Sequence, residues 1–318
     1  MSAEQMHRTS HSVEVDAPAG VVYGLISDAR QWPLFFPENV HVERLEFDGT
    51  NERLRMWATA DGRVRSWISE RAQDPGARCV EFRQTHPQLP VTTMRGLWTV
   101  EERAPGPILL TLRHDFAVHG DSAGDAAWVE QVVDTDSRAQ LASLRSLAER
   151  WKRFDDLVLS FEDAVRVQAS VESVYGFLHR VADWPTLIPH VTRLDLTEDA
   201  PGVQLMSMDT LTSGGAVHTT ESVRICFPHA GRIVYKQTET PVLMEAHTGE
   251  WNVVPDEDGV TALAQHNVVL REEAVEQVLG AGADLDRARR HVREALGRSS
   301  TAILHLARQH AELVTREA

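Results

Sequence analysis

The sequence predicts an α+β protein built from two similar domains in tandem, each a curved antiparallel sheet wrapped around a long C-terminal helix. Three observations predict this class. The chain repeats itself once, each half carries a series of short strand-like segments, and each half ends in a long amphipathic segment. At roughly 100–200 residues per domain, a length of 318 residues also indicates two domains. We place them at 1–155 and 156–318.

The internal repeat rests on matches that keep the same order at a nearly constant spacing. Trp32-Pro33 returns as Trp184-Pro185, and Arg71 returns as Arg224. Later matches pair Gly96 with Gly249, Trp98 with Trp251, and His114 with His266. Because tryptophan is a rare residue, several ordered tryptophan matches are hard to obtain by chance. The sequence therefore indicates the duplication of one fold.

Hydrophobic periodicity sets the order of elements in each half. A short strand is predicted over 11–16, and an apolar helical pattern after Pro18 ends near Trp32-Pro33. Six more strands are predicted at 39–47, 52–60, 63–73, 78–84, 91–101 and 108–118. Long helices are predicted at 125–152, with Trp128, Val132, Leu141, Leu144 and Leu147 near one face, and at 284–315. Such a helix can cover the concave face of a curved sheet.

Charge, hydropathy and cysteine content narrow the function classes. A formal net charge of −15 would repel nucleic acid and anionic membranes. No apolar run of about 18 residues is present, and the N-terminus has no apolar signal core. Two cysteines, Cys79 and Cys226, are too few for a disulfide framework or a zinc cluster. We therefore expect a cytoplasmic protein without nucleic-acid or membrane partners.

Strand alternation predicts which side chains share a face, because successive residues of a strand point to opposite sides. In the first half the predicted inward set is Arg65, Trp67, Ser69 and Arg71 with Met94, Gly96 and Trp98. In the second half it is His218, Thr220, Ser222 and Arg224 with His247, Gly249 and Trp251. Each interior would then be mostly apolar and aromatic, with a few polar groups. That is the usual composition of a small-molecule site.

The order of elements, together with Trp32-Pro33, the strand Trp67-Ile68-Ser69-Glu70-Arg71 and Asp115-Phe116 before the long helix, resembles a known family. It is similar to the polyketide aromatase/cyclases of bacterial type II polyketide synthases. These are helix-grip proteins with a fold like that of START-type lipid-binding domains. The tandem repeat resembles the di-domain subclass, and the resemblance covers essentially the whole chain. It implies two helix-grip (START-like) domains, each with a pocket between sheet and helix.

The resemblance also implies an activity and partners. Members of this family close the first ring of a poly-β-ketone chain by an aldol reaction and dehydrate it to an aromatic ring. In the di-domain subclass the first ring usually joins carbons seven and twelve. The implied partners are an acyl-carrier protein bearing the phosphopantetheine-linked chain, the minimal polyketide synthase and, for some members, a ketoreductase. No cofactor and no metal are implied.

The resemblance assigns pocket positions residue by residue. In the first half these are Trp32, Trp67, Arg71, Trp98, His114 and Gln140. Asn39 and Gln84 depart from a tyrosine and an arginine of the family, which leaves the proton path open. The second half keeps Trp184, Arg224, Trp251 and His266, has Thr220 and Ile303 in place of Trp67 and Gln140, and adds His218 and His247.

The reaction suggests roles for the polar residues. An arginine stays charged and cannot act as a base, so Arg71 and Arg224 are expected to orient carbonyls and stabilise an oxyanion. Imidazole titrates near neutrality, so His114 and His266 are expected to transfer protons. The alternative is a water molecule held by Ser69 or Thr220. The expected substrate-binding residues are Trp32, Trp67, Ser69, Met94, Trp98, Gln140, Trp184, His218, Thr220, His247 and Trp251.

Several alternatives stay open. Trp32 and Trp184 could be core residues, and the histidines could be satisfied interior groups. The basic segments 145–153 and 287–293 could be solvated helix faces or docking patches for an acidic carrier. The sequence has no GxSxG, HExxH, Walker or GxGxxG pattern. That absence fits a cofactor-free cyclase and equally a non-catalytic protein that binds or transfers a hydrophobic small molecule. We expect the first domain to close the ring, with the second dehydrating the product or serving a structural role.

Overall fold

The computed structural model describes residues 4–60, 62–103, 105–211, 215 and 217–317. The chain divides into two compact units, Met1–Phe154 and Asp155–Ala318, which we call domain one and domain two. In the described residues each domain has one seven-stranded antiparallel sheet and one long helix near its end. No helix in that part of the chain is both long and apolar enough to cross a membrane.

Domain one follows the predicted order of strands and helices. Its elements are β1 (His7–Val15), α1 (Ala19–Ser27), α2 (Trp32–Phe35), β2 (Asn39–Phe47), β3 (Asn51–Ala60), β4 (Arg63–Asp74), β5 (Cys79–Gln84), β6 (Val91–Glu101), β7 (Ile108–Val118) and α3 (Ala123–Glu149). The sheet order is β1-β7-β6-β5-β4-β3-β2, so the first strand pairs with the last and the others form a meander. The six predicted later strands are confirmed to within one residue at each end.

Domain two repeats this arrangement after a short helix, α4 (Phe154–Leu157). Its elements are β8 (Val158–Val167), α5 (Val171–His179), α6 (Trp184–Leu187), β9 (Val191–Ala200), β10 (Val203–Leu211), β11 (Val217–Phe227), β12 (Arg232–Glu239), β13 (Met244–Asp256), β14 (Gly259–Leu270), α7 (Val275–Leu279) and α8 (Leu285–Glu317). The sheet order β8-β14-β13-β12-β11-β10-β9 matches that of domain one.

The long helix α3 begins where the sequence supplies a cap. The Ser122 hydroxyl accepts a hydrogen bond from the Asp125 amide at 3.3 Å, and the acidic Asp125 lies in the first turn, where the helix dipole favours negative charge. The buried face carries Val129, Val133, Ser137, Leu141, Leu144 and Leu147. Trp128, which we placed near the apolar face, is 44% exposed. The apolar stripe runs through its neighbour Val129 instead.

The core of each domain consists of two apolar clusters. In domain one, the larger cluster packs α1 and α2 against the sheet and includes Trp32, Trp98 and Leu144. The smaller one joins Phe116 to the beginning of α3. Domain two has a corresponding pair of clusters. Polar side chains of the inner sheet face lie among these clusters, and they form the candidate sites.

Candidate functional sites in the two domains

A buried arginine network holds the end of α1 in domain one. Arg71, on β4, donates to Glu52 Oε1 at 2.6 Å, to the Ile26 carbonyl at 2.5 Å and to the Ser27 carbonyl at 3.2 Å. Burial lowers the pKa of Arg71 to about 10, and the charge of Glu52 opposes that effect. The last carbonyls of a helix have no partner within the helix. Arg71 supplies the missing donors and so fixes α1 against the sheet.

Domain two repeats this network with a neutral partner. Arg224 donates to Gln204 Oε1 at 2.8 Å and to the Leu178 carbonyl, near the end of α5, at 2.5 Å. Burial lowers the pKa of Arg224. Gln204 lies directly opposite Arg224 in the sheet, as Glu52 lies opposite Arg71. The buried acid of domain one is therefore an amide in domain two.

These bonds change the expected role of the two arginines. Both point to the inner face, as strand alternation predicts, but their terminal nitrogens are already bonded within the protein. Among the described residues, Arg71 Nε has no hydrogen-bond partner. The geometry favours a positioning role, because the guanidinium groups complete helix ends. Direct contact with an oxyanion stays a prediction.

Trp32 and Trp184 complete the same helix ends. Both are buried, and each indole Nε1 donates at 3.1 Å to a helix carbonyl, that of Leu25 in domain one and that of Phe177 in domain two. The Arg71 guanidinium lies over the Trp32 ring at 4.9 Å. Of the two interpretations that the sequence leaves open, these contacts favour core residues.

The other predicted pocket residues of domain one lie on the inner sheet face and on α3. Ser69 is buried, and Trp67 packs against the larger apolar cluster. Met94 packs against the smaller one. Trp98 is buried in contact with Trp32, with 6.4 Å between ring centroids. Gln140 donates to Glu38 Oε1 at 3.1 Å, so its amide already has a protein partner.

A row of directly paired residues crosses four strands in each domain. In domain one it is Phe82, Gly96, His114 and Thr9. In domain two it is Tyr235, Gly249, His266 and Phe161. We call these the histidine rows. Both central histidines therefore occupy the same place in the fold.

The glycine in each histidine row lets an aromatic side chain cross the neighbouring strand. A Cβ atom at Gly96 would lie 2.3 Å from Phe82 Cζ, and one at Gly249 would lie 2.4 Å from the Tyr235 hydroxyl. Both distances are far below van der Waals contact. With glycine there, Phe82 meets His114 edge to face, with 5.5 Å between ring centroids.

In domain one, polar atoms near the histidine row lack partners. Among the described residues, Thr9 Oγ1, His11 Nδ1, His114 Nδ1 and Ser137 Oγ are buried without a hydrogen bond. Thr9 and His11 lie on β1. Ser137 is buried on α3, one helical turn after Asp134, whose carboxylate contacts His11. Buried polar groups in native proteins are nearly always bonded. Such a group of unpartnered atoms indicates a place that a ligand or water completes.

Burial favours the neutral form of His114. Burial, with a smaller effect of His11, lowers the pKa of His114 to about 4. His11 Nε2 lies 2.8 Å from Asp134 Oδ1. Hydrogen bonds from Arg138 and then His11 lower the pKa of Asp134 to about 2, so that carboxylate is charged at neutral pH. His114 is a neutral imidazole under the same conditions and can accept a proton.

Domain two surrounds its histidine with polar partners. His266 Nδ1 lies 2.9 Å from the Tyr235 hydroxyl and 3.0 Å from His247 Nε2. His247 Nδ1 lies 2.9 Å from Gln237 Oε1. Burial, together with His266, lowers the pKa of His247 to about 3, and burial lowers that of His266 to about 4. Burial also raises the pKa of Tyr235. All of these groups are uncharged at neutral pH.

Two other predicted residues of domain two are on β11. His218 is exposed, as is Arg65 on β4 of domain one, so the predicted place of both residues in the interior is wrong. Alternation fixes the face of a side chain but not whether another element covers that end of the strand. Thr220 is partly buried, and its hydroxyl donates to the Met208 carbonyl at 3.4 Å. Trp251 is buried, with 6.5 Å between its ring centroid and that of Tyr235.

Sequence reasoning missed His11, Ser137, Tyr235 and Gln237. The repeat itself contained the signal for two of them, because Tyr235 and Gln237 lie where domain one has Phe82 and Gln84. A glycine between an inward aromatic residue and an inward histidine allows contact across one strand. Gly96 and Gly249 were recognised as repeat matches, but their effect on the neighbouring strands was not.

Comparisons with known proteins agree with this duplicated architecture. A family profile described as polyketide cyclase/dehydrase and lipid transport matches residues 6–149 and again residues 158–312. The actinorhodin polyketide synthase bifunctional cyclase/dehydratase of Streptomyces coelicolor is 39% identical over 314 residues, covering 96% of each chain. The granaticin polyketide synthase bifunctional cyclase/dehydratase of Streptomyces violaceoruber is 38% identical over 308 residues, covering 96% of this chain and 95% of the relative.

Two solved structures share the whole fold. The di-domain aromatase/cyclase BexL from the BE-7585A biosynthetic pathway is 44% identical with a TM-score of 0.88, and StfQ from the steffimycin pathway is 32% identical with a TM-score of 0.83. Each match covers 96% of this chain and 99% of the other. The predicted tandem helix-grip fold is confirmed. The chain belongs to the polyketide cyclase/dehydrase family, in the two-repeat form of the di-domain aromatase/cyclases, and is an enzyme of the cyclase/dehydratase type.

Proposed function

We propose that the enzyme closes and aromatises the first ring of a poly-β-ketone carried by an acyl-carrier protein, joining carbons seven and twelve. The observation that carries this proposal is the pair of histidine rows. Each places a neutral imidazole on the inner face of a sheet whose surroundings are largely apolar. His266 is buried, and His114 is half-buried with its Nδ1 screened from solvent. The regiochemistry of the ring comes from the resemblance to the di-domain subclass.

A neutral buried imidazole suits both steps of the reaction. In ring closure, it takes a proton from a methylene group between two carbonyls, and the resulting enolate carbon attacks a distant ketone. The alkoxide that forms takes the proton back. Dehydration then removes a second carbon-bound proton and the new hydroxyl group as water. Neither step consumes an oxidant, a reductant or a second substrate.

The rest of the interior orients the chain. Holding two parts of one molecule in reacting geometry can contribute about 7–11 kcal/mol to a rate. Trp67 and Met94 offer apolar surface, and Ser69 offers a hydroxyl, on the inner face of domain one. The arginine networks support this indirectly, because they set the distance between the first helix and the sheet.

The carrier protein is proposed to dock on domain one, at the open side between β1 and α3. A groove of about 660 Å³ lies there, and Arg138, Arg145 and Arg150 line it together with His11. Arg145 and Arg150 belong to the basic segment that the sequence marks as a docking candidate. Glu149 also lines the groove and pairs with Arg145, and Arg138 pairs with Asp134, so a phosphopantetheine phosphate would compete with these carboxylates for the arginines.

The test is product analysis with a reconstituted minimal polyketide synthase. Wild type should convert a mixture of spontaneous products into one aromatic first ring. His114→Gln should shift the mixture back toward spontaneous products, because general base catalysis contributes on the order of 100-fold or more. His229→Gln, the same change at an exposed histidine, is the control. If wild type leaves the mixture unchanged on both reduced and unreduced chains, the protein is a carrier of hydrophobic small molecules and the proposal fails.

A further inference from the structure

The two histidine rows differ in the partners of one ring nitrogen. In domain one, His114 Nδ1 is buried without a partner among the described residues. In domain two, His266 Nδ1 has two partners, the Tyr235 hydroxyl at 2.9 Å and His247 Nε2 at 3.0 Å. The opposite nitrogen of His266, Nε2, is the unpartnered one.

The hydrogen bonds of domain two define where the protons lie. His247 Nδ1 faces the amide oxygen of Gln237, an acceptor, so Nδ1 carries the proton of this neutral ring. His247 Nε2 is then an acceptor. The 3.0 Å contact to His266 requires a donor, so His266 carries its proton on Nδ1. The free nitrogen of His266, Nε2, keeps its lone pair and is basic.

Tyr235 completes this arrangement. Its hydroxyl oxygen lies 2.9 Å from His266 Nδ1 and 3.4 Å from His247 Nε2, so it is a second acceptor that shares the single Nδ1 proton of His266 with His247 Nε2. The hydroxyl reaches this place because Gly249 has no side chain in its path. Domain one has Phe82 in place of Tyr235 and Met94 in place of His247. Neither residue can hold a histidine proton in place.

We propose that Tyr235 and His247 are positioning residues that keep the proton of His266 on Nδ1, leaving Nε2 as the proton-accepting atom, and that domain two thereby carries the elimination of water. This inference rests on the proposed cyclase function and assigns one of its steps. Domain one, with its partnerless His114 Nδ1 and its basic groove, carries ring closure.

The elimination balances without a further reactant. His266 Nε2 takes the proton from the carbon beside the ketone of the cyclised β-hydroxy intermediate. The electrons of that C–H bond form the new C=C bond as the C–O bond to the hydroxyl breaks. The departing hydroxide takes the proton from Nε2, leaving as water and returning His266 to its neutral form. The carbonyl-stabilised carbanion makes this order of steps favourable for β-hydroxy ketones.

The surroundings of Nε2 are closely packed. Nε2 is screened from solvent, and Phe161 stacks on the ring with 4.8 Å between centroids. The charged groups near the ring form an ion pair, in which Arg293 Nη2 lies 2.6 Å from Asp163 Oδ1. Their opposing charges leave burial as the dominant effect on His266. A substrate must displace part of this packing to reach the nitrogen.

Two measurements on the full chain test the inference. The first is the histidine tautomer state by ¹⁵N-detected long-range NMR. His266 should carry its proton on Nδ1 in wild type, and it should lose that preference in the double variant Tyr235→Phe, His247→Met. Both replacements are the residues that domain one already has at these positions, and Tyr235→Phe alone removes only a hydroxyl if the double variant does not fold.

The second measurement is the ratio of dehydrated to hydroxylated first-ring product in the reconstituted synthase. His266→Gln should lower this ratio on the order of 100-fold, and the double variant about 10-fold, because the ratio compares two products that follow the same ring closure. His114→Gln should instead lower total ring closure. This pattern distinguishes the inference from the proposed function, which fails only if wild type forms no aromatic ring.

Either of two results would overturn the inference while leaving the cyclase function intact. One is a wild-type His266 that carries its proton on Nε2. The other is a double variant whose tautomer changes but whose product ratio does not. A merely structural role for Tyr235 and His247 would lower the amount of folded protein and both products together, without changing their ratio.

Discussion

Domain one and domain two each place a histidine opposite a glycine and beside an aromatic ring, yet the two rings meet different neighbours. His114 lies against phenylalanine with its Nδ1 unpartnered, whereas His266 bonds a tyrosine and a second histidine. The arginine networks differ in the same manner, since an acid in one domain is an amide in the other. Duplication preserved the backbone placement, and the side chains around it diverged. Similar positions therefore do not imply similar chemistry.

The largest expected difference between the domains concerns their buried arginines. Arg71→Met should destabilise domain one more than the matching change destabilises domain two, because it leaves the buried Glu52 carboxylate with Arg44 and Gln73 as its remaining partners. Arg224→Met should cost domain two only about 1–3 kcal/mol, since neutral groups lose their hydrogen bonds. Hydrogen exchange of α1 and α5 measures each domain separately. Equal losses of stability in the two domains would show that the charge of Glu52 does not distinguish the two networks. In a Glu52→Gln background, the two arginine variants should lose more similar amounts of stability.

Acidification should also separate the domains. The pKa of His114 is lowered from 6.5 to about 4, and domain two has both His266 at about 4 and His247 at about 3. Between pH 6.5 and 4 the unfolded chain binds protons that the folded chain does not, so stability is present above 6.5 and is lost as pH falls. Each such histidine should cost about 2 kcal/mol by pH 5.

Calorimetric unfolding of the full chain between pH 7 and 5 tests this expectation. Domain two should lose more stability than domain one, and His247→Met should reduce its pH dependence. A steeper loss in domain one would contradict the assignment of the histidines as buried neutral groups. Because two domains are present, the transitions need to be assigned individually, for example with Arg71→Met or Arg224→Met as a marker.

The glycines of the histidine rows should be intolerant of alanine in both domains. Gly249→Ala would place a Cβ 2.4 Å from the Tyr235 hydroxyl, and Gly96→Ala would place one 2.3 Å from Phe82. Each should destabilise its domain by at least about 1–3 kcal/mol, because the backbone must shift as well as the ring: the new Cβ would lie 2.3 Å from the Gln265 carbonyl or 2.5 Å from the Arg113 carbonyl. The control is Gly24→Ala in α1, where a Cβ meets nothing within 4 Å and should add about 0.5–1 kcal/mol of stability. Urea unfolding measures all three variants.

The smallest expected contrast is between two buried serines on the long helices. Ser300 Oγ lies 3.0 Å from the Leu296 carbonyl and 3.3 Å from Asp163, so Ser300→Ala should cost about 1 kcal/mol. Ser137 Oγ has no partner among the described residues, so Ser137→Ala should leave stability unchanged or slightly higher. A clear loss of stability in Ser137→Ala would show that its hydroxyl is already bonded, and would remove it from the proposed site.

The fold was predictable because its signals are local and occur twice. The six later strands of the first half, Trp32-Pro33 and the two long helices were located to within a few residues, and the repeat made each half support the other. The first strand was predicted at 11–16 but spans His7–Val15. The predicted inward direction of the Arg71 and Arg224 side chains was also correct, because successive side chains of a strand alternate between its two faces. These features depend on sequence spacing alone.

The roles of the side chains were less predictable, because they depend on contacts between distant segments. No residue near Arg71 in the sequence indicates that its guanidinium group donates a hydrogen bond to the end of a helix more than 40 residues away. Exposure of His218 depends on what covers one end of a strand. The Tyr235 contact depends on a glycine in another strand. Each of these requires the packed structure, and only the last has a sequence signal that the repeat could reveal.

The glycine of the histidine row also has a consequence for how such a protein diversifies. Because the backbone already leaves a channel across the strand, exchanging phenylalanine for tyrosine there adds a hydroxyl without moving the chain. The codons of these two amino acids differ at a single base. A single base change in one gene copy is therefore enough to add the phenol at this position. At this position, one substitution is enough to give the two copies of the fold different side-chain chemistry after gene duplication.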